Sequence, residues 1–376
     1  MQEERAFWVA WSKINGVGPI LLRRLHKHFG TLSAAWEASL SALVEVDGVG
    51  VQSAESVIVQ RRAIQPEALL EVHEQENPGF WTPADADYPA LLLEITDLPP
   101  VLYYRGIVNP SELDGSHPMV AMVGTRSPSE YGRRWTRRIS ETLTQSGFTI
   151  VSGLADGIDT EAHRSCLAAG GRTIAVLGCG VDIIYPWSNR GLYQQILKNG
   201  LVLSEHPAGT QPDRTFFPRR NRIIAGLSRA TLVMEAPAKS GGLITAHYAN
   251  EYGRDVYALP GSLDNPKSLG CIKLINKGAM VIEGEQELLD ALGTLPSLQQ
   301  KTNKPPIQAS LPLDLAPELA HLLQILTDLP DESGSVQFDR LVQAANQPAS
   351  VVSSSLLQLE LTGLVTQLPG MRYQRS

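Results

Sequence analysis

Three guanidinium groups and an amide stand together in FFPRRNRIIAGLS, residues 216–228: Arg219, Arg220, Asn221 and Arg222. Such a group binds anions, because each guanidinium fork matches two oxygens of a phosphate or carboxylate. Downstream, APAKSGGLITA carries Lys239, Ser240, Gly241, Gly242 and Thr245. A cation beside bare backbone amides at a helix start is an arrangement that holds phosphate. Upstream, GTRSPSEYG lets the backbone turn at Gly124 and places Arg126, between Thr125 and Ser127, at a helix entrance. In SGLADGIDTEAH, Gly153 permits a further turn and Asp159 is placed as an N-cap. Tyr185, Trp187, Phe216 and Phe217 offer flat surfaces on which unpaired bases can stack. The arginines of residues 219–222 cannot all share one helical face, so some are expected to point into a loop. Several phosphate sites along one edge suit an extended polyanion better than one small cofactor. Solvated arginines beside core aromatics are the alternative on these features alone.

Other chemistries find less support. Gly178-x-Gly180 in LGCGVDIIYPWSN is a fragment of a dinucleotide fingerprint, with Ile183 where the third glycine belongs. No GxxxxGK[ST] occurs, the eight histidines are scattered, and Cys166, Cys179 and Cys271 form no CxxC pair. No metal, cofactor or disulfide framework is expected. The chain has a formal net charge of −7, so a basic site must be local rather than global.

These groups need a scaffold. PMVAMVG, FTIVSG, TIAVLG, LVLSE, ATLVMEA, DVYALPG and AMVIEG are nearly continuous apolar runs separated by helical segments such as YGRRWTRRISETLTQSG. Runs of that kind are parallel strands covered on both faces. The fold class is α/β, an extended Rossmann-like, doubly wound, mostly parallel sheet over residues 80–293. Its ligands bind beyond the carboxyl ends of the strands. DADYPALLLEITDLPPVLYYRG is expected to lead into this domain. Residues 1–75 read as a helical domain of helix-hairpin-helix (SAM-like) type. There GVGP and DGVG each open a helix, and their glycines either hold a phosphate or simply permit tight turns. Residues 294–313 are rich in Pro, Gln and Ser and form a linker. Residues 314–376 follow the order helix, helix, helix, hairpin of a winged-helix-like domain. The third helix, about 349–361, contains no Lys or Arg, which favours packing or protein contact over groove reading. No apolar run is long enough to span a bilayer and the first residues lack the basic start of a secretory signal, so a cytoplasmic protein is expected.

GTRSPSEYG, SGLADGIDTEAH, TIAVLGCGVDIIYPWSN, FPRRNRIIAGLS, SGGLITA and GRDVYALPG resemble, in order and spacing, the DNA-processing protein A (DprA/Smf) family. The resemblance covers residues 80–290, and the two flanking segments look like those of longer members. It implies an extended Rossmann domain that binds single-stranded DNA, forms a homodimer and loads the RecA recombinase during natural transformation. By the same resemblance the DNA-pocket arginine falls on Arg126, the FPxRNR positions on Arg219 to Arg222 and the SGxLIT positions on Ser240 to Thr245. Candidate dimer residues are Leu274, Ile275, Met280 and Ile282, in the apolar segment LINKGAMVI. Two departures stand out: Ile272 occupies a position usually polar in the family, and the tail is acidic. SGGLITAHYANEYG also resembles the PGGxGTxxE loop of nucleoside-monophosphate phosphoribohydrolases, which is the enzyme alternative. There a glutamate follows the threonine by three places; here Tyr248 stands three after Thr245, and Glu251 lies further on. Binding without catalysis is therefore expected.

Overall fold

The apolar runs of the central region fold as strands in the computed structural model, which describes residues 2–77, 79–293, 317–328, 336–361, 364–368 and 372–375. The segment expected as a linker, 294–313, lies outside the described residues. The chain forms two compact units, Met1–Gln300 and Lys301–Ser376.

In the first unit the strands are β1 (Phe80–Trp81), β2 (Leu102–Gly106), β3 (Met119–Gly124), β4 (Thr149–Ser152), β5 (Thr173–Leu177), β6 (Leu201–Ser204), β7 (Ala230–Glu235), β8 (Asp255–Ala258) and β9 (Met280–Val281). They pair in the order β1-β2-β6-β5-β4-β3-β7-β8-β9. The seven strands from β3 to β9 run parallel, whereas β2 pairs antiparallel with β6 and β1 antiparallel with β2. The segment expected only to lead into the sheet thus supplies one of its strands, β2.

Side chains alternate across a strand, and both faces of this sheet are covered. Ala121, Val123 and Val233 face one apolar cluster with Ile223, Ile224 and Ala246, from the Phe216–Leu227 and Gly241–Glu251 helices. Val120, Met122 and Leu232 face another with Ile139, Leu143 and Ala162, from the Glu130–Gln145 and Ile158–Ala168 helices. Residues 2–76 form six helices, and Trp8, Trp11 and Leu25 join the first of these clusters together with Leu102 and Val176 of the sheet. The helices Pro19–Phe29 and Val51–Arg61 begin after the two GVG turns, with Gly18 and Gly50 as N-caps. Gly16 and Gly48 each have φ +87°, a left-handed conformation in which a side chain would be strained.

The second unit contains the helices Pro317–Asp328, Phe338–Ala345 and Ala349–Leu361, with β10 (Val336–Gln337), β11 (Val365–Leu368) and β12 (Arg372–Arg375) in an antiparallel sheet of order β10-β12-β11. Leu322, Leu341, Val352, Leu356, Val365 and Tyr373 fill its core. Three helices followed by a hairpin make this a winged-helix unit.

Candidate nucleic-acid interface

Strand order reverses at β3: β4, β5 and β6 succeed it on one side, β7, β8 and β9 on the other. The loops after β3 and β7 therefore diverge and leave a crevice beyond their carboxyl ends. A cleft of about 690 Å³ opens there. Gly124, the last residue of β3, lines it with Thr125 and Arg126 of the following loop, and Lys239, Ser240, Gly241, Gly242 and Thr245 line it from the segment after β7. Ser127 is exposed beside them, its amide donating to Thr125 Oγ1 at 3.3 Å.

The stretch 216–228 forms a helix, Phe216–Leu227, rather than a loop. Pro218 sits in its first turn, where proline costs no helical hydrogen bond. Buried residues run without a break from Arg220 to Leu227, which turns two of the arginines inward. Arg220 is 4% exposed; it donates to the Gly153 carbonyl at 2.6 Å and to the Val176 carbonyl. Burial pushes its guanidinium down to about 10, against the opposing pull of the Asp159 carboxylate. Arg220 still borders the cleft, and it packs on the buried Gly153, where a Cβ would stand 2.5 Å from Arg220 Nη2.

Arg222 departs from the expectation. It lies outside the cleft lining, 5% exposed, and its guanidinium is paired with Glu205 at 2.7 Å and Asp97 at 3.4 Å. These carboxylates satisfy the charge, so Arg222 is a structural ion-pair residue, not a cation for phosphate. Asn221 ties the helix to the next element, donating from Nδ2 to the Gly241 carbonyl at 3.1 Å. Arg219 is exposed. Arg214, which sequence reasoning passed over, lines the cleft and is exposed; its signal was its place two residues before the aromatic pair.

Phe217 and Tyr185 line the cleft with their rings 5.3 Å apart and 29° from parallel. The Arg126 guanidinium stands 5.6 Å from the Phe217 ring. Phe216 turns elsewhere and stacks on His206 at 4.1 Å, and Trp187 lies outside the cleft lining. Asp159 does not act as an N-cap. It sits in the first turn of Ile158–Ala168, whose N-cap is Gly157, and its carboxylate accepts the amides of Gly153 and Ala155 at 3.1 and 3.4 Å. Burial raises its pKa, and Arg220 and these amides oppose the rise.

Glu235, at the end of β7, joins the strand-end loops. It is 2% exposed and accepts from the Ser129 amide at 2.7 Å, the Ser129 hydroxyl at 2.6 Å and Asn265 Nδ2 at 3.0 Å. Its carbonyl accepts the Thr125 amide at 2.7 Å. Ser129 caps the Glu130–Gln145 helix through the Gly132 amide, and Ser240 caps Gly241–Glu251 through the Gly242 amide.

Of the candidate interface residues, Ile282 is 2% exposed and packs with Leu288 and Leu292 inside the core. It has no surface to give a partner. Leu274 and Ile275 are half-buried against the core, whereas Met280 is exposed on β9, the last strand of the sheet. Among the described residues no cluster of metal-ligating side chains occurs, and no helix is long and apolar enough to cross a membrane.

Known proteins resemble this chain in sequence and fold. The family model of DNA recombination-mediator protein A matches residues 79–293, and that of the DprA winged helix domain matches residues 305–371. Protein Smf of Synechocystis sp. is 50% identical across 99% of this chain and 99% of its own length. DNA processing protein DprA of Streptococcus pneumoniae is 43% identical across 62% of this chain and 81% of its own. The X-ray structure of DprA from Streptococcus pneumoniae superposes with a TM-score of 0.66 at 36% identity, covering 76% of this chain and 97% of that one. DNA processing protein A from Helicobacter pylori, described for its single-stranded DNA binding mode, superposes with a TM-score of 0.51 at 33% identity, covering 57% and 95%. With the family model spanning the whole sheet unit that carries the cleft, and a relative matching from end to end, the chain belongs to the DNA recombination-mediator protein A (DprA/Smf) family.

Proposed function

We propose that the protein binds single-stranded DNA in the switch-point cleft, protects incoming strands and loads RecA recombinase onto them during natural transformation. The observation that carries this is the rim: Arg126, Arg214 and Lys239 are exposed around a cleft whose wall includes the stacked pair Tyr185 and Phe217. Cations and the helix start at Gly241, where no side chain stands in the way, suit phosphates, and the rings suit bases that are not paired. A duplex keeps its bases stacked inside and offers no partner to the rings. The Helicobacter pylori relative, described for single-stranded DNA binding, supports the same ligand.

Binding without catalysis fits the cleft. Asp159 is the one carboxylate among its lining residues, and backbone amides hold it. Tyr248 stands where a phosphoribohydrolase has its glutamate, and Glu251, further along the helix, lies outside the lining, 3.4 Å from His247. A cytoplasmic homodimer through the α/β unit completes the proposal, with Met280 and the half-buried Leu274 and Ile275 as its surface. The experiment is a gel-shift comparison of single-stranded with duplex DNA across a salt series. Single strands should bind more tightly, with log affinity falling by about 0.7 per phosphate contact for each decade of salt. Equal affinity for the two forms would overturn it.

A further inference from the structure

Trp187 is 67% exposed, yet the turn that carries it is firmly anchored. It stands first in the 3-10 turn Trp187–Asn189. The next residue, Ser188, donates to Asp156 Oδ1 at 2.9 Å. After it the buried Asn189 donates from Nδ2 to the Leu154 carbonyl and to Thr160 Oγ1, both at 2.9 Å. The turn is thus pinned to the loop after β4 and to the helix that follows it, Ile158–Ala168, while the ring itself is exposed. Arg190 holds its guanidinium 5.1 Å from the ring centroid, and Tyr185, two residues earlier, lines the cleft. An exposed indole carried on an anchored turn is a preorganised platform for a stacking partner.

We infer that Trp187 and Arg190 form an extension subsite for the strand as it leaves the cleft: one base stacks on the Trp187 ring and Arg190 meets a neighbouring phosphate. This rests on the single-stranded DNA reading and adds a contact beyond the cleft. Arg126, Phe217 and Tyr185 hold the strand within the cleft, and Trp187 with Arg190 continues the same alternation of cation and ring outside it. The contact is tolerant of sequence, since every base presents a face.

The test is a length series. Wild type, Trp187→Ala, Trp187→Phe and Arg190→Gln are titrated with oligothymidylates of about 4 and about 12 nucleotides, lengths that bracket a small site and an extended one. The wild type should gain affinity with length, and Trp187→Ala should cut the affinity for the longer strand by about tenfold while changing the shorter by less than about twofold. Trp187→Phe should keep most of the gain, and Arg190→Gln should lose part of it together with some salt dependence. Equal length dependence in wild type and Trp187→Ala would overturn the subsite while leaving the cleft intact. A wild type that binds neither strand better than duplex would overturn the cleft reading and the subsite with it. A change of sedimentation in Trp187→Ala without any change in length dependence would assign the ring to a protein contact and also overturn the inference.

Discussion

Gly242 lies against Gly124: a Cβ built on Gly242 would stand 3.2 Å from the Gly124 Cα. The pair lets a helix start approach a strand end closely enough for both backbones to face one ligand. A Cβ on Gly124 would stand 2.6 Å from Ile158 Cγ1 and 2.7 Å from the Glu235 carbonyl, whereas one on Gly241 would meet nothing within 4 Å. Gly124→Ala should therefore destabilise the protein by about 1–3 kcal/mol through overpacking. Gly241→Ala should leave the unfolding midpoint nearly unchanged. Thermal melts of the two variants check the contrast.

Arg126→Ala should weaken single-stranded DNA binding by about 1.5–3 kcal/mol, the worth of a charge-assisted hydrogen bond. Arg134→Ala removes the same charge from the Glu130–Gln145 helix, where the guanidinium stands 5.8 Å from the Tyr131 ring, and should cost far less. Arg214→Ala should resemble Arg126→Ala. Titrations at one salt concentration decide it; equal losses for Arg126 and Arg134 would mean that bulk charge governs affinity.

Arg222→Ala should act on folding rather than on DNA. It leaves Glu205 and Asp97 without their buried cation, a change that typically costs about 3–5 kcal/mol. Urea unfolding should show the loss, and the folded fraction should bind oligonucleotide with near wild-type affinity.

His163 makes stability depend on pH. Its Nδ1 lies 2.7 Å from Thr173 Oγ1, which itself donates to the Ile150 carbonyl at 2.7 Å, so Nδ1 carries the proton and donates. Burial, reinforced by Arg220, pushes the imidazole down to about 3. The unfolded chain takes up a proton near pH 6.5, the native state only near 3, so this stabilisation is present above 6.5 and is lost as pH falls between the two values. By pH 5 the loss is about 2 kcal/mol. His73, pushed down to about 4 mainly by burial, adds in the same sense. His163→Asn keeps a donor and removes the titration, so its loss between pH 7 and pH 5 should be smaller by that amount in urea melts.

Deleting residues 314–376 should leave single-stranded DNA binding nearly intact. The segment holds seven carboxylates against three arginines, Arg340, Arg372 and Arg375. Its Ala349–Leu361 helix, placed where a winged helix reads DNA, carries no cation. A tenfold loss on truncation would show that the tail binds DNA; a gain would show that it acts as a brake.

The sheet was legible because its parallel strands from β3 to β8 are almost wholly buried and read as nearly continuous apolar runs. β1 and β2 were not, since β2 ends in the exposed Arg105 and Gly106 and two-residue β1 has no pattern to read. The third tail helix was legible in its bounds and in its want of cations. The inward turn of Arg222 was not: one of its carboxylates lies 17 residues away, a partnership created by packing rather than by local pattern. Ile282 shares the apolar segment LINKGAMVI with the other candidate dimer residues, and that pattern does not tell a contact from a core position; the Glu285–Gly293 helix covers it with Leu288 and Leu292.

The Glu235 carboxylate takes its three donors from two different loops. The Glu235 carbonyl holds the Thr125 amide as well, so in amide hydrogen exchange Thr125 and Ser129 should exchange as slowly as the central strands, although both lie in a connecting segment. A cleft clamped in this way has little conformational freedom left to surrender when a strand arrives. The ordering cost of association falls on the flexible DNA, so affinity should depend on how readily a given strand unstacks: a floppy oligothymidylate should bind more tightly than a self-stacking oligoadenylate of equal length.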